Sequence, residues 1–109
     1  MNKRRYNKLV RDGIPQIIRD NGGKCTSRIL EEEEYKEELI NKLYEEIQEF
    51  KAGWSEEKLA DILEVLHAIA DIKEYEMMHI DYIRMNKKER RGGFEGRVLL
   101  VDIEEWLGF

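Results

Sequence analysis

Glu45, Glu46 and Glu49, followed on the next predicted helix by Glu57, Asp61 and Glu64, are the residues whose types and spacing suit a chemical task. All are carboxylates, and an all-oxygen donor set suits hard divalent cations, Mg²⁺ or Mn²⁺, better than zinc. Position matters more than number here. Read as helix over residues 30–52, the first segment puts Tyr35, Leu39, Leu43, Ile47 and Phe50 on one stripe, because residues three and four apart share a face. Glu46 falls inside that stripe and Glu49 on its edge. A carboxylate aimed into an apolar interface is costly unless cations or hydrogen-bond donors meet it; otherwise it stays protonated.

The second segment has a similar anomaly. Leu59, Ile62, Leu63, Leu66, Ile69 and Ala70 form one apolar face, and this face is expected to pack. Nearly opposite, Glu57, Asp61, Glu64 and Asp71 line up with Ala60 and Ala68, small residues that allow another helix to approach. Antiparallel packing of the two segments then sets Glu46 and Glu49 against Asp61 and Glu64 around a shared cleft. The run Glu31–Glu34 has a plainer explanation, a solvated helix start favoured by the macrodipole.

The elements that must hold these residues come from a chain of 109 residues, enough for one domain, 1–109, that buries roughly two-thirds of its unfolded surface. With 19 basic and 24 acidic residues the net charge is −5, which argues against nucleic acid as a partner drawn by bulk attraction. No apolar run reaches membrane or signal length, and a lone Cys25 makes no internal disulfide. A cytoplasmic protein is expected. Cys25, with no histidine near it, reads as a passive small residue.

Residues 6–15 read as an extended arm, with Asp12 as a cap and Pro15 in the first turn of a short helix to about Asp20. Asn21-Gly22-Gly23 ends it. A short strand is expected over 24–29 and another over Val98–Val101, pairing as a two-stranded ribbon. Gly53 breaks the long helix, and Ser55 caps the next, which runs to about Glu74. A further helix spans about Met78 to Glu89, and residues 102–107 suggest a last turn or two with Ile103, Trp106 and Leu107 as a docking face. The fold class is mainly α, an antiparallel helical bundle with a small ribbon. Trp54, Phe94 and Trp106 read as packing groups.

Four ordered stretches carry a resemblance: residues 6–15 (YNKLVRDGIP), 43–50 (LYEEIQEF), 59–65 (LADILEV) and 89–95 (ERRGGFE). Together they resemble the all-α nucleoside triphosphate pyrophosphatase superfamily, in particular its small MazG-like branch, also described as similar to phosphoribosyl-ATP pyrophosphohydrolase. The resemblance implies Mg²⁺-dependent cleavage between the α and β phosphates of a nucleoside triphosphate, giving a monophosphate and pyrophosphate, in the house-cleaning of non-standard or excess nucleotides. Its motif is Glu-Glu-x-x-Glu followed by Glu-x-x-Asp. Glu45, Glu46 and Glu49 match the first part and Asp61 the end of the second, while Lys58 stands where the remaining glutamate is expected. Glu57 or Glu64 could take over that ligand position, fewer ions could bind, or catalysis could be lost.

On this reading Glu46, Glu49, Asp61, Glu64 and Glu57 are the metal candidates, and Glu45 or Glu49 orients or deprotonates the attacking water. Lys8, Arg11, Arg91 and Arg97 are the phosphate-binding candidates, the last two beside the Gly92-Gly93 turn. Two alternatives stand beside the enzyme. Glu64-x-x-His67 and Glu76-x-x-His79 have the spacing of bundle di-iron sites, but those need the motifs on separate antiparallel helices. A non-catalytic helical interaction module shares the expected fold. Either module or enzyme is expected as a homodimer or higher oligomer, since a second copy would complete a four-helix arrangement.

Overall fold

A computed structural model describes residues 4–108, which carry four α-helices: α1 (Ile14–Asp20), α2 (Glu32–Gly53), α3 (Glu56–Ile72) and α4 (Met77–Arg91). The chain divides into two compact units, Met1–Tyr75 and Glu76–Phe109. No helix among the described residues is long and apolar enough to cross a membrane.

In the first unit the arm leads into α1, whose N-cap is Gly13 with no side-chain cap, so the capping expected of Asp12 does not form. Ile14 and Pro15 supply the first turn, where a missing N–H costs nothing. The helix closes in a Schellman arrangement. Gly22 takes φ +84°, its N–H donates to the Arg19 carbonyl, and the Gly23 N–H donates to the Ile18 carbonyl at 2.8 Å. A side chain at Gly23 would strike Ile18, its Cβ coming 2.7 Å from Ile18 Cγ2.

The body of this unit is the hairpin of α2 and α3, the two helices that pack against one another. Their connection is short because both ends are locally determined. Trp54 adopts the left-handed conformation at φ 50° and donates its N–H to the Phe50 carbonyl; Gly53, expected to break the helix, is instead its last residue. Ser55 then takes extended backbone, and its Oγ accepts the Lys58 N–H at 3.2 Å, a cap that starts α3 one residue later. Chain reversal in two residues makes the helices antiparallel neighbours. Leu39 is buried at 2% exposure and lines a groove with Ile69 and Ile72, so the start of α2 faces the end of α3.

Asp61 faces Glu46 and Glu49 across the hairpin as expected, but the apolar face of α3 expected to pack is covered only in part. Leu59, Leu63 and Leu66 remain exposed, whereas Val65 and Ala70 are buried and Asp61, Ile62, Ala68, Ile69 and Ile72 are half-buried. Ala68 and Val65 project less far than leucine, and side chains of that size let helices pack closely. Of the six residues expected to pack, Ile62, Ile69 and Ala70 do so at least partly.

The second unit comprises α4, closed by Gly92 at φ +86°, and an irregular segment beyond it. No strand forms among the described residues. Residues 24–29 and Val98–Val101 are both irregular, so the expected ribbon is absent there; an isolated two-stranded ribbon is marginal in water. Residues 102–107 form no helix either. A stretch that short pays the full nucleation cost for few hydrogen bonds.

Candidate functional site

Glu46 decides where the site is. Leu39, Leu43, Glu46 and Phe50 follow one another at three- and four-residue steps down the inner side of α2, so the helix carries Glu46 into the interface with α3 whatever its charge. Its residue exposure is 6%, and its Oε2 is buried with no hydrogen-bond partner. Burial raises the pKa of this carboxyl first of all, and the neighbouring charge of Glu49 raises it further, against the pull of Lys42.

Around Glu46 the described residues form a compact cluster of opposite charges. Lys42 Nζ lies 3.5 Å from Glu46 Oε1 and 3.7 Å from Glu45 Oε1, the i,i+4 and i,i+3 geometry of one helix face. From α3, Lys58 Nζ donates to Glu49 Oε2 at 2.9 Å and stands 3.6 Å from Asp61 Oδ2 and 4.0 Å from Glu46 Oε2. The arm completes the set. Arg11 Nη2 donates to Asp61 Oδ1 at 2.8 Å, and Lys8 Nζ reaches Glu45 Oε1 at 3.4 Å while lying 5.4 Å from the centre of the Tyr6 ring. Four carboxylates, Glu45, Glu46, Glu49 and Asp61, thus meet four cations, Lys8, Arg11, Lys42 and Lys58, and their formal charges cancel.

Lys58 dominates the electrostatics. Its hydrogen bond to Glu49 raises the ammonium pKa and lowers that of the Glu49 carboxyl, so both stay ionised across neutral pH. Lys58 also stands among Glu46, Glu49 and Asp61. Among the described residues no three His, Cys, Asp or Glu side chains are grouped to hold a metal. The chemistry of the donors nonetheless fits a hard divalent cation: every candidate ligand is a carboxylate oxygen, and Glu46 Oε2 is an orphaned acceptor inside the cluster. Glu46 keeps a buried carboxylate oxygen without a hydrogen-bond partner, whereas Lys58 engages Glu49 and Arg11 engages Asp61.

The hairpin therefore brings together Glu45, Glu46, Glu49 and Asp61, and the arm adds Lys8 and Arg11. Glu57 and Glu64 are exposed and enter no ion pair among the described residues. Arg91, the last residue of α4, and Arg97, at φ 56°, belong to the second unit. His67 is exposed on α3, and His79 on α4 stacks with Tyr82 at 6.4 Å between ring centres. The residue missed from sequence is Lys42, whose signal was its spacing of three and four from Glu45 and Glu46.

Comparison with protein-family models, curated proteins and solved structures found no match to this chain.

Proposed function

We propose that this chain is a Mg²⁺-dependent nucleoside triphosphate pyrophosphohydrolase, cleaving between the α and β phosphates to release a nucleoside monophosphate and pyrophosphate. The observation that carries the reading is the buried Glu46 carboxylate, whose Oε2 lacks a partner in a cluster of further carboxylates. A protein rarely keeps a buried acceptor unsatisfied without a use for it. The motif resemblance supplies the reaction class, and with it the all-α pyrophosphatase type of bundle.

Glu46 and Asp61 would hold the ion. When bound, Mg²⁺, or Mn²⁺ in its place, screens the polyphosphate and polarises the α phosphate. Glu45 is the better candidate to orient and deprotonate the attacking water, because Glu49 is a weakened base: the Lys58 hydrogen bond lowers its pKa. Water oxygen bonds to the α phosphorus, its proton passes to Glu45, and the bond to the bridging oxygen breaks with pyrophosphate as leaving group. Arg11 and Lys8 sit on an arm rather than on the hairpin. Binding of an anionic triphosphate would transfer their charge from Asp61 and Glu45 to phosphate oxygens.

Ile40, Tyr44 and Ile47 on α2, and Leu59, Leu63 and Leu66 on α3, recur at spacings of three and four and are exposed. These stripes support a homodimer or higher oligomer in which a second copy covers them. A cytoplasmic setting accords with a nucleotide substrate.

One observation favours a second reading, the non-catalytic helical module: side-chain cations already balance the cluster without any ion. Incubating the protein with a panel of nucleoside triphosphates, with and without Mg²⁺, separates the two. Monophosphate plus pyrophosphate in the Mg²⁺ arm is the expected product pair. Orthophosphate release would indicate another chemistry, and no turnover with any base would favour the module.

A further inference from the structure

We propose that residues 4–11 form a polyphosphate-binding strap, with Arg4 and Arg5 as phosphate contacts beside Lys8 and Arg11, and that Asp61 and Glu45 hold the strap shut by competing with phosphate for the last two. The inference rests on the phosphate-binding part of the proposed function and requires neither a metal ion nor turnover.

The strap is a run of positive charge laid against acidic helices. Arg4, Arg5, Lys8 and Arg11 are all exposed, and the first acidic residue after them is Asp12. Two of these cations are engaged by the hairpin. Arg11 Nη2 donates to Asp61 Oδ1 at 2.8 Å, and Lys8 Nζ lies 3.4 Å from Glu45 Oε1, with Leu9 and Val10 half-buried between them. Arg4 and Arg5 enter no ion pair among the described residues. Residues 4–11 belong to no helix or strand, so no backbone ladder ties them to α2 or α3.

Both ties are ion pairs whose cations are about half exposed, and pairs of that kind are weak and screened by salt. A polyphosphate competes well with them. It carries several adjacent charges, and a guanidinium fork can meet two phosphate oxygens at once. With the strap shut, Lys8 and Arg11 are neutralised and only Arg4 and Arg5 face an incoming anion. With it open, all four are available. The anion therefore has the higher affinity for the open strap, the condition under which a ligand shifts such an equilibrium. Asp61 and Glu45 are inhibitory toward phosphate in this arrangement, because the apparent affinity falls with the fraction of straps that stand open.

Calorimetric titration of sodium tripolyphosphate into the full chain, at fixed ionic strength and without divalent metal, tests this. Arg4→Gln and Arg5→Gln should each weaken binding. Asp61→Asn should tighten it by about fivefold, the upper range for an exposed ion pair, and should have no effect in an Arg11→Gln background. Circular dichroism melts show whether each variant is folded, and the smaller cycle of Glu45→Gln with Lys8→Gln repeats the test if Asp61→Asn is not. Equal tightening with and without Arg11 would mean general relief of repulsion and would overturn the inference. Unchanged or weaker binding by Asp61→Asn, or no effect of Arg4→Gln and Arg5→Gln, would overturn it too, and all three results leave the pyrophosphohydrolase reading intact. Binding by neither the wild type nor any variant would overturn both the strap and the phosphate-binding role of Lys8 and Arg11.

Discussion

The two sides of the α2–α3 hairpin invert the usual rule of burial. On the inner side a glutamate is 6% exposed, while on the outer side Leu63 is 54% exposed, in line with Leu59 and Leu66. Hydropathy alone would exchange them, since burying a leucine is worth about 1.5–3 kcal/mol and burying an uncompensated charge costs more than that. The contrast teaches that small residues, Val65, Ala68 and Ala70, are what α3 buries, and that charge balance makes the inner side tolerable. Lys42 and Lys58 meet the buried carboxylate, although neither satisfies its Oε2. The inner side thus keeps one buried carboxylate oxygen without a hydrogen-bond partner, while the outer side keeps its leucines exposed.

The sharpest way to break the comparison is to remove inner carboxylates. Glu46→Ala and Asp61→Ala should each lower pyrophosphate release by at least about 100-fold, the usual loss when a charge-stabilising group is deleted, whereas Glu33→Ala on the solvated first turn of α2 should leave it unchanged. Equal activity of Glu46→Ala and wild type would remove the inner side from the chemistry.

On the outer side, Leu63→Glu places a charge in the exposed leucine stripe. If a second copy covers that stripe, light scattering should show the wild-type assembly reduced to single chains, while the circular dichroism of the hairpin persists. An unchanged mass would mean that the stripe is not the contact.

A smaller effect separates function from stability. Burial raises the folded-state pKa of Glu46, so the protonated carboxyl is the form the fold prefers. Its contribution is complete below the unfolded pKa and is lost as pH rises through the folded one. Glu46→Gln mimics the protonated form. Without metal it should therefore melt above wild type at pH 7, by about 4 °C for a change near 1 kcal/mol in a domain this size, and the gap should close by about pH 4, where Glu46 itself is protonated. A lower melting point for Glu46→Gln at pH 7 would show that the charged form is better satisfied than its surroundings suggest.

Much of the hairpin was legible from sequence because its signals are local. Ser55 caps the helix it was expected to cap, the helix limits fall within a few residues of expectation, and the position of Glu46 within the stripe follows from counting along one helix. What depended on partners was harder to read. The small, acidic face of α3 meets α2 through Asp61 as expected, but periodicity did not show that Glu64 would stay outside the cluster or that Leu59, Leu63 and Leu66 of the apolar face would remain exposed. Val98–Val101 has the composition of a strand, yet a strand needs a neighbour, which composition does not supply. Lys58 read as a departure from the Glu-x-x-Asp pattern; only the distances from its Nζ show that it stands among three carboxylates.

Calorimetric titration of Mg²⁺ into the wild-type chain and into Glu46→Gln, each with a non-hydrolysable triphosphate present, bears most directly on the inner side of the hairpin. The wild type should bind the ion with saturable heat and Glu46→Gln at least tenfold more weakly. Equal binding by both, or none by the wild type, would contradict the assignment of Glu46 as a ligand.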